Sequence, residues 1–244
     1  MSMSNANTPL QLDVIAVGAH PDDVEIACGG TLAKLVSQGY KCGIIDLTNG
    51  EPTPLCDDPR IRVAEAEAAA EVLGVTRKIL TLPNRRLFDC FESRVMLATE
   101  FRRYRPKIVI GFGNKTPMAS PDHHQAMLIT DAAVFYSRLT KWEEHFEGLP
   151  VHTISSHLYF QLAFESQTLE FGSGLTVDIS DQLERKMEAI LCYQTQFPPD
   201  KRGVLERVKA AAMVAGLASG FAAGETLVTT KPLGVQDLVR TLLQ

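Results

Sequence analysis

The sequence predicts an α/β fold, a mostly parallel sheet covered by helices. Three observations predict it. Short β-branched apolar runs alternate with helix-length stretches along the first half of the chain. Two of those runs lead through a Pro-Asp cluster into a helix. No internal repeat, low-complexity tract or interdomain linker interrupts the 244 residues, so a single domain spanning 1–244 is expected, with 1–10 a flexible start.

Residues 12–17 (Leu-Asp-Val-Ile-Ala-Val) have the length and β-branching of a buried strand. Beyond the turn that follows, Leu32, Leu35 and Val36 share one helical face, which Gly39 stops. A second strand is expected over 41–47, ending in Thr48-Asn49-Gly50-Glu51. The small-residue stripe Ala66, Ala69, Ala70 and Leu73 marks a helix over 60–73, closed by Gly74. A third strand follows at 78–82, then a helix over 92–104 that stops before Pro106. The fourth strand, 107–112, opens into a long loop and a helix over about 126–139.

The charged stretch 142–150 reads as a surface insertion. Later strands are expected over 157–162 and 175–179, and Ser180 is placed to cap a helix whose apolar face is Leu183, Met187, Ile190 and Leu191. A last long helix covers 203–219, leaving Gly224 and Glu225 in a tail. The Ala- and Gly-rich run 210–224 is not Leu-rich and reads as close helix packing, so no membrane span is expected.

Composition narrows the class. Hydrophobic residues make up 45% and charged residues 22%, as in a soluble globule. A net charge of −5 argues against nucleic acid as a partner. Five cysteines without a C-x-x-C pair suit reduced thiols in the cytoplasm, and the polar first residues carry no signal-peptide pattern.

The chemistry concentrates in His20-Pro21-Asp22-Asp23-Val24-Glu25 at the first strand-to-helix turn. Such turns lie at the carboxyl edge of the sheet, where ligands bind. An imidazole and three carboxylates in one turn are costly to bury without a counter-ion, and a divalent cation supplies one. A phosphate-binding turn is excluded because acids occupy the place of the phosphate. An acidic first turn complementing the helix dipole accounts for the carboxylates but not for His20. The fourth strand ends in a similar cluster, Ser120-Pro121-Asp122-His123-His124, and a neighbouring parallel strand would bring it to face the first. Successive helical side chains diverge by about 100°, so only one of His123 and His124 is a ligand. His145, His152 and His157 have no acidic companions at ligand spacing and read as surface or hydrogen-bonded histidines.

These two turns strongly resemble those of the LmbE-like, or PIG-L, family of zinc-dependent de-N-acetylases. Thr48-Asn49-Gly50-Glu51, Ile61-Arg62-Val63-Ala64-Glu65, Leu82-Pro83-Asn84 and residues 177–190 look most like its bacillithiol-pathway branch, which deacetylates N-acetylglucosaminyl malate. The resemblance implies a single-domain, Rossmann-like three-layer α/β/α sandwich. It implies one Zn2+ per chain on His20, Asp23 and His123, with iron as a competitor, Asp22 as general base, and Arg62 as a substrate contact. It also implies an amino-sugar substrate and a homo-oligomer, trimer or hexamer. Two imidazoles and one carboxylate leave a catalytic zinc an open position, and Asp122 would orient a ligand histidine from behind. The sequence departs from the family at Ser120, where many members carry a histidine that stabilises the oxyanion or leaving group. A slow deacetylase, a binding protein of the same fold, or a hydrolase of another amide all fit that departure. His124 is the candidate to take over the missing imidazole's role.

Overall fold

Every residue of strand β1 (Val14–Gly18) is buried, and the sheet is built outward from it. In this computed structural model, which describes residues 10–51, 55–116, 118–162, 174–201 and 203–236, β1 lies between two parallel neighbours. On one side it pairs with β2 (Cys42–Asp46), which pairs in turn with β3 (Thr76–Ile79). On the other it pairs with β4 (Ile108–Phe112), followed by β5 (Ser156–Phe160). The chain starts in the middle and winds first one way and then the other. A crevice therefore opens at the carboxyl ends of β1 and β4. The expected flexible start falls, for residues 1–9, outside the described residues.

The sheet is mixed. β7 (Gly224–Thr229) runs antiparallel to β5 and to the edge strand β6 (Gly174–Asp178), giving the order β3-β2-β1-β4-β5-β7-β6. The expectation of a tail at Gly224 and Glu225 is thereby corrected. The run Gly224-Glu225-Thr226-Leu227-Val228-Thr229 is short and half polar, and only pairing with β5 and β6 gives it a place.

Helices α1 (Asp23–Ser37), α2 (Pro59–Leu73), α5 (Leu183–Leu191) and α6 (Gly203–Leu217) pack together on one face. Helices α3 (Phe91–Tyr104) and α4 (Asp122–Tyr136) cover the other, completing a three-layer α/β/α sandwich. Local chemistry sets the ends of α2. The Asp58 side chain accepts from the Arg60 amide, Pro59 occupies the first turn, and Gly74 closes the helix at φ 75°. The Ala-rich run packs closely, as its composition implies: a Cβ on Gly216 would lie 2.5 Å from the Ala223 carbonyl carbon.

Two boundaries differ in ways that matter. α4 begins at Asp122 rather than Ala126, so Asp122 and His123 stand in its first turn. α5 is preceded by Gln182 in the cap position, while the Ser180 hydroxyl donates to Asp178 Oδ1 at 2.6 Å. The stretch 142–150 is not a free surface insertion either. Phe146 is fully buried, and the Arg102 guanidinium lies 3.7 Å from its ring centroid while donating to the Leu139 and Leu149 carbonyls.

Candidate metal centre and active site

The β1–α1 and β4–α4 turns meet because β1 and β4 are hydrogen-bonded neighbours. They bring His20, Asp23 and His123 together, with one ligand atom of each inside a 4.8 Å triangle, the only such group among the described residues. Each side chain is held from behind. Asp23 Oδ2 accepts from the Ala19 and His20 amides at 3.1 and 2.9 Å, which leaves Oδ1 toward His123 Nε2 at 3.4 Å. His20 Nε2 lies 3.2 Å from Asp122 Oδ2, leaving Nδ1 on the Asp23 side. His123 Nδ1 lies 3.2 Å from Thr116 Oγ1, and its ring stacks on Phe112 at 4.8 Å. Two imidazole nitrogens and one carboxylate oxygen, each with its second atom anchored, form a donor set that could hold a divalent metal ion.

The charges fit a cation. Burial alone would push His20 down, but its hydrogen bonds to Asp122 and Asp23 and the nearby carboxylate charges hold it up at about 10. Burial would raise Asp23, yet the His123 and His20 imidazoles keep it far below the carboxylate range. A divalent ion held here would supply positive charge beside these buried carboxylates.

Asp22 differs from its neighbour. Its backbone is left-handed, at φ 110° and ψ −26°, a strained conformation for a residue with a Cβ. Its carboxylate pairs with Arg62, whose Nη2 lies 3.2 Å from Asp22 Oδ2. Burial pushes Asp22 up to about 7 despite the lowering charge of Arg62. A buried carboxyl that changes protonation near neutrality is suited to carrying protons.

Arg62 is 2% exposed. Its guanidinium donates to the Pro21 carbonyl at 2.6 Å, lies 3.7 Å from Glu65 and packs 4.8 Å from the Tyr193 ring centroid. The residue picked out in the sequence as a substrate contact is thus buried against Asp22 and Tyr193. Tyr193 is itself tied down. Its hydroxyl donates to Glu25, which pairs with Arg77, and Arg77 also forks onto Asp46. This buried network was not legible in the sequence, since Glu25, Asp46, Arg77 and Tyr193 share no spacing.

Asp122 is engaged three times: by His20 and by the amides of Arg85 and Leu87, at 2.7 and 3.3 Å. Burial would raise it, but those hydrogen bonds lower it overall. Ser120 Oγ accepts from the Asp122 amide at 3.3 Å within its own turn. His124 stands next along α4 outside the triangle, its Nδ1 buried without a partner. Of the other histidines, His152 is hydrogen-bonded and His145 exposed, as read from the sequence, whereas His157 is largely buried and faces a carboxylate. His152 Nε2 contacts the Pro106 carbonyl at 2.6 Å, His157 Nδ1 lies 3.6 Å from Asp131, and His145 packs among Phe91 and Trp142.

Comparison with known proteins agrees with this architecture. Residues 15–134, which contain both turns, match the family described as PIG-L, GlcNAc-PI de-N-acetylase. The crystal structure of a conserved protein from Thermus thermophilus, TT1542, superposes with a TM-score of 0.78 at 30% identity, over 92% of this chain and 97% of that one. The chain belongs to the PIG-L/LmbE-like deacetylase superfamily. A diacetylchitobiose deacetylase of Thermococcus kodakarensis is 29% identical over 77% of this chain and 71% of its own length. A 4-oxalmesaconate hydratase of Pseudomonas putida is 26% identical over 80% and 78%. Family and cluster together make the chain a metal-dependent enzyme of the amide-hydrolase type. No helix among the described residues is long and apolar enough to cross a membrane.

Proposed function

We propose that the protein is a zinc-dependent hydrolase that removes the N-acetyl group from an N-acetylglucosamine conjugate, N-acetylglucosaminyl malate being the specific candidate. The observation that carries this reading is Asp22. A site that only bound metal would have no use for a buried, strained carboxyl beside the ligand triangle. His20, Asp23 and His123 would hold the ion, one per chain. When bound there, it would supply Lewis acidity toward an amide carbonyl and lower the pKa of water.

The chain's own residues do the proton work. Asp22 accepts a proton from the attacking water and returns it to the nitrogen as the C–N bond breaks, so amide and water become acetate and free amine. Arg62 favours the ionised form of Asp22 and holds it in place, acting on the substrate through that carboxylate. Asp122 keeps His20 turned toward the triangle. Ser120 offers the developing oxyanion no cationic donor, so turnover is slow compared with an enzyme that has an imidazole there.

The test is a deacetylation screen with zinc present over N-acetylglucosaminyl malate, diacetylchitobiose and other N-acetylglucosamine conjugates, measuring acetate and free amine. Equal amounts of both, absent in Asp22→Asn, support the proposal; no acetate from any amide overturns it. The similarity to a hydratase favours one second reading, addition of water to an unsaturated acid by the same base. Loss of an enoate absorbance without any acetate release would select it. We further infer a cytoplasmic homo-oligomer, trimer or hexamer, on the family resemblance alone, and light scattering measures its mass.

A further inference from the structure

α1 is two helical segments rather than one. Cys28 leaves helical geometry, at φ −142° and ψ 23°, and breaks the backbone ladder shortly after Asp23. In an unbroken helix the Gly30 amide would donate to the Ile26 carbonyl and the Thr31 amide to the Ala27 carbonyl. Here the Gly30 and Thr31 amides donate to the two oxygens of Glu225, at 3.0 and 2.6 Å. The Ile26 carbonyl accepts from Lys186 Nζ at 2.8 Å, and that ammonium lies 2.5 Å from Glu225 Oε1. A buried ion pair has been inserted where the Gly30-to-Ile26 bond would run.

The signs suit the break. The first segment ends in an unpaired carbonyl and receives the ammonium; the second begins with unpaired amides and receives the carboxylate. Helix kinks have local causes, and an inserted side chain is one of them. Gly30 makes room for the insertion, because a Cβ there would lie 3.0 Å from Glu225 Oε1 and 2.6 Å from Ile179 Cδ1. The cavity beside the pair, lined in part by Ile26, Lys186, Ala212 and Glu225, has a volume of about 30 Å³. That is room for water rather than for a ligand, so substrate binding does not account for the two charges.

The consequence falls on Asp23. It begins the short first segment, whose end α5 holds directly through Lys186 on the Ile26 carbonyl, while Glu225 of β7 holds both that ammonium and the amides that begin the second segment. We propose that Lys186 and Glu225 are positioning residues for Asp23, holding its turn at the angle that closes the triangle with His20 and His123. The inference rests on the reading of that triangle as the metal site.

The test is zinc affinity of the metal-free protein by competition with a chromophoric chelator, alongside thermal unfolding of the same samples. Glu225→Gln keeps the side chain's size but offers one acceptor oxygen to two amides. It is expected to remain folded by circular dichroism and to bind zinc about 10- to 100-fold more weakly. Should that variant fail to fold, Lys186→Met/Glu225→Gln removes both charges together and is expected to show the same weakening. Lower melting temperature with unchanged zinc affinity in the folded variant would mean a merely structural pair and overturn the inference. A wild-type chain that binds no zinc would instead overturn the metal reading beneath it.

Discussion

His20-Pro21-Asp22-Asp23 and Ser120-Pro121-Asp122-His123 share a plan. Each follows a central strand, with proline second and aspartate third. Each is closed by the fourth residue's amide donating to the first residue's carbonyl, at 3.3 and 3.2 Å. Their third residues nevertheless behave oppositely. Asp122 begins a helix and is held by an imidazole and two amides, which lower its pKa. Asp22 has a left-handed backbone and one cationic partner, and burial carries it up to about 7. A shared turn therefore does not assign a role. What assigns it is how many donors the surrounding fold brings to each carboxylate, because an unsatisfied buried carboxylate takes up a proton.

The most severe way to break the comparison is to remove its meeting point. His20→Ala deletes a ligand and the partner of Asp122, so zinc content measured by mass spectrometry should fall from one per chain to near none while the fold persists. Equal content in both proteins would end the assignment. In wild type, His20 is held at about 10 when metal-free. Its ion pairs therefore stabilise the metal-free fold fully below its ordinary pKa near 6.5, and that stabilisation is lost as the pH rises through about 10. Zinc must displace this proton, so affinity should weaken as the pH falls.

Asp22→Asn tests the other side. It should keep zinc and lose about 10²- to 10⁴-fold in turnover, whereas Asp23→Asn should lose zinc. The reverse pattern would exchange their roles. Because Asp22 works ionised and its pKa is raised, kcat/KM should climb with pH along an acid limb at or below about 7, the bound cation pulling the limb down. Arg62→Met removes a charge that lowers Asp22, so the limb should move to higher pH. A limb that stays in place would separate Arg62 from the base.

Asp122→Asn sharpens the contrast at smaller scale. It should retain most turnover at saturating zinc but weaken zinc binding by about 10- to 100-fold through His20. Ser120→Ala should do least. Its hydroxyl caps only its own turn, so a stability loss of about 1 kcal/mol is expected by denaturant titration, with turnover nearly unchanged. A large loss of rate would give Ser120 a direct part in the reaction, and loss of most activity in His124→Ala would place the missing imidazole there.

By itself the sequence determined the sheet's parallel half and the two acidic turns. The choice of His20, Asp23 and His123 came from the family resemblance, and the fold brings those three side chains together. The sequence's own signals are local: an apolar run sets a strand, and His20, Asp22 and Asp23 lie within one turn of chain. Even the meeting of the two turns follows from topology, since parallel neighbours present their carboxyl ends together. Tertiary structure decided the place of β7, because antiparallel pairing with β5 and β6 joins Gly224–Thr229 to strands far from it along the chain. It also decided that Arg62 faces Asp22, that Tyr193 packs against Arg62, and that Glu225 and Lys186 enter the break in α1. These contacts join residues as far apart as 195 positions. No periodicity encodes them, because a buried charge is specified by whatever partner the finished fold delivers to it, and that partner has no fixed distance along the chain.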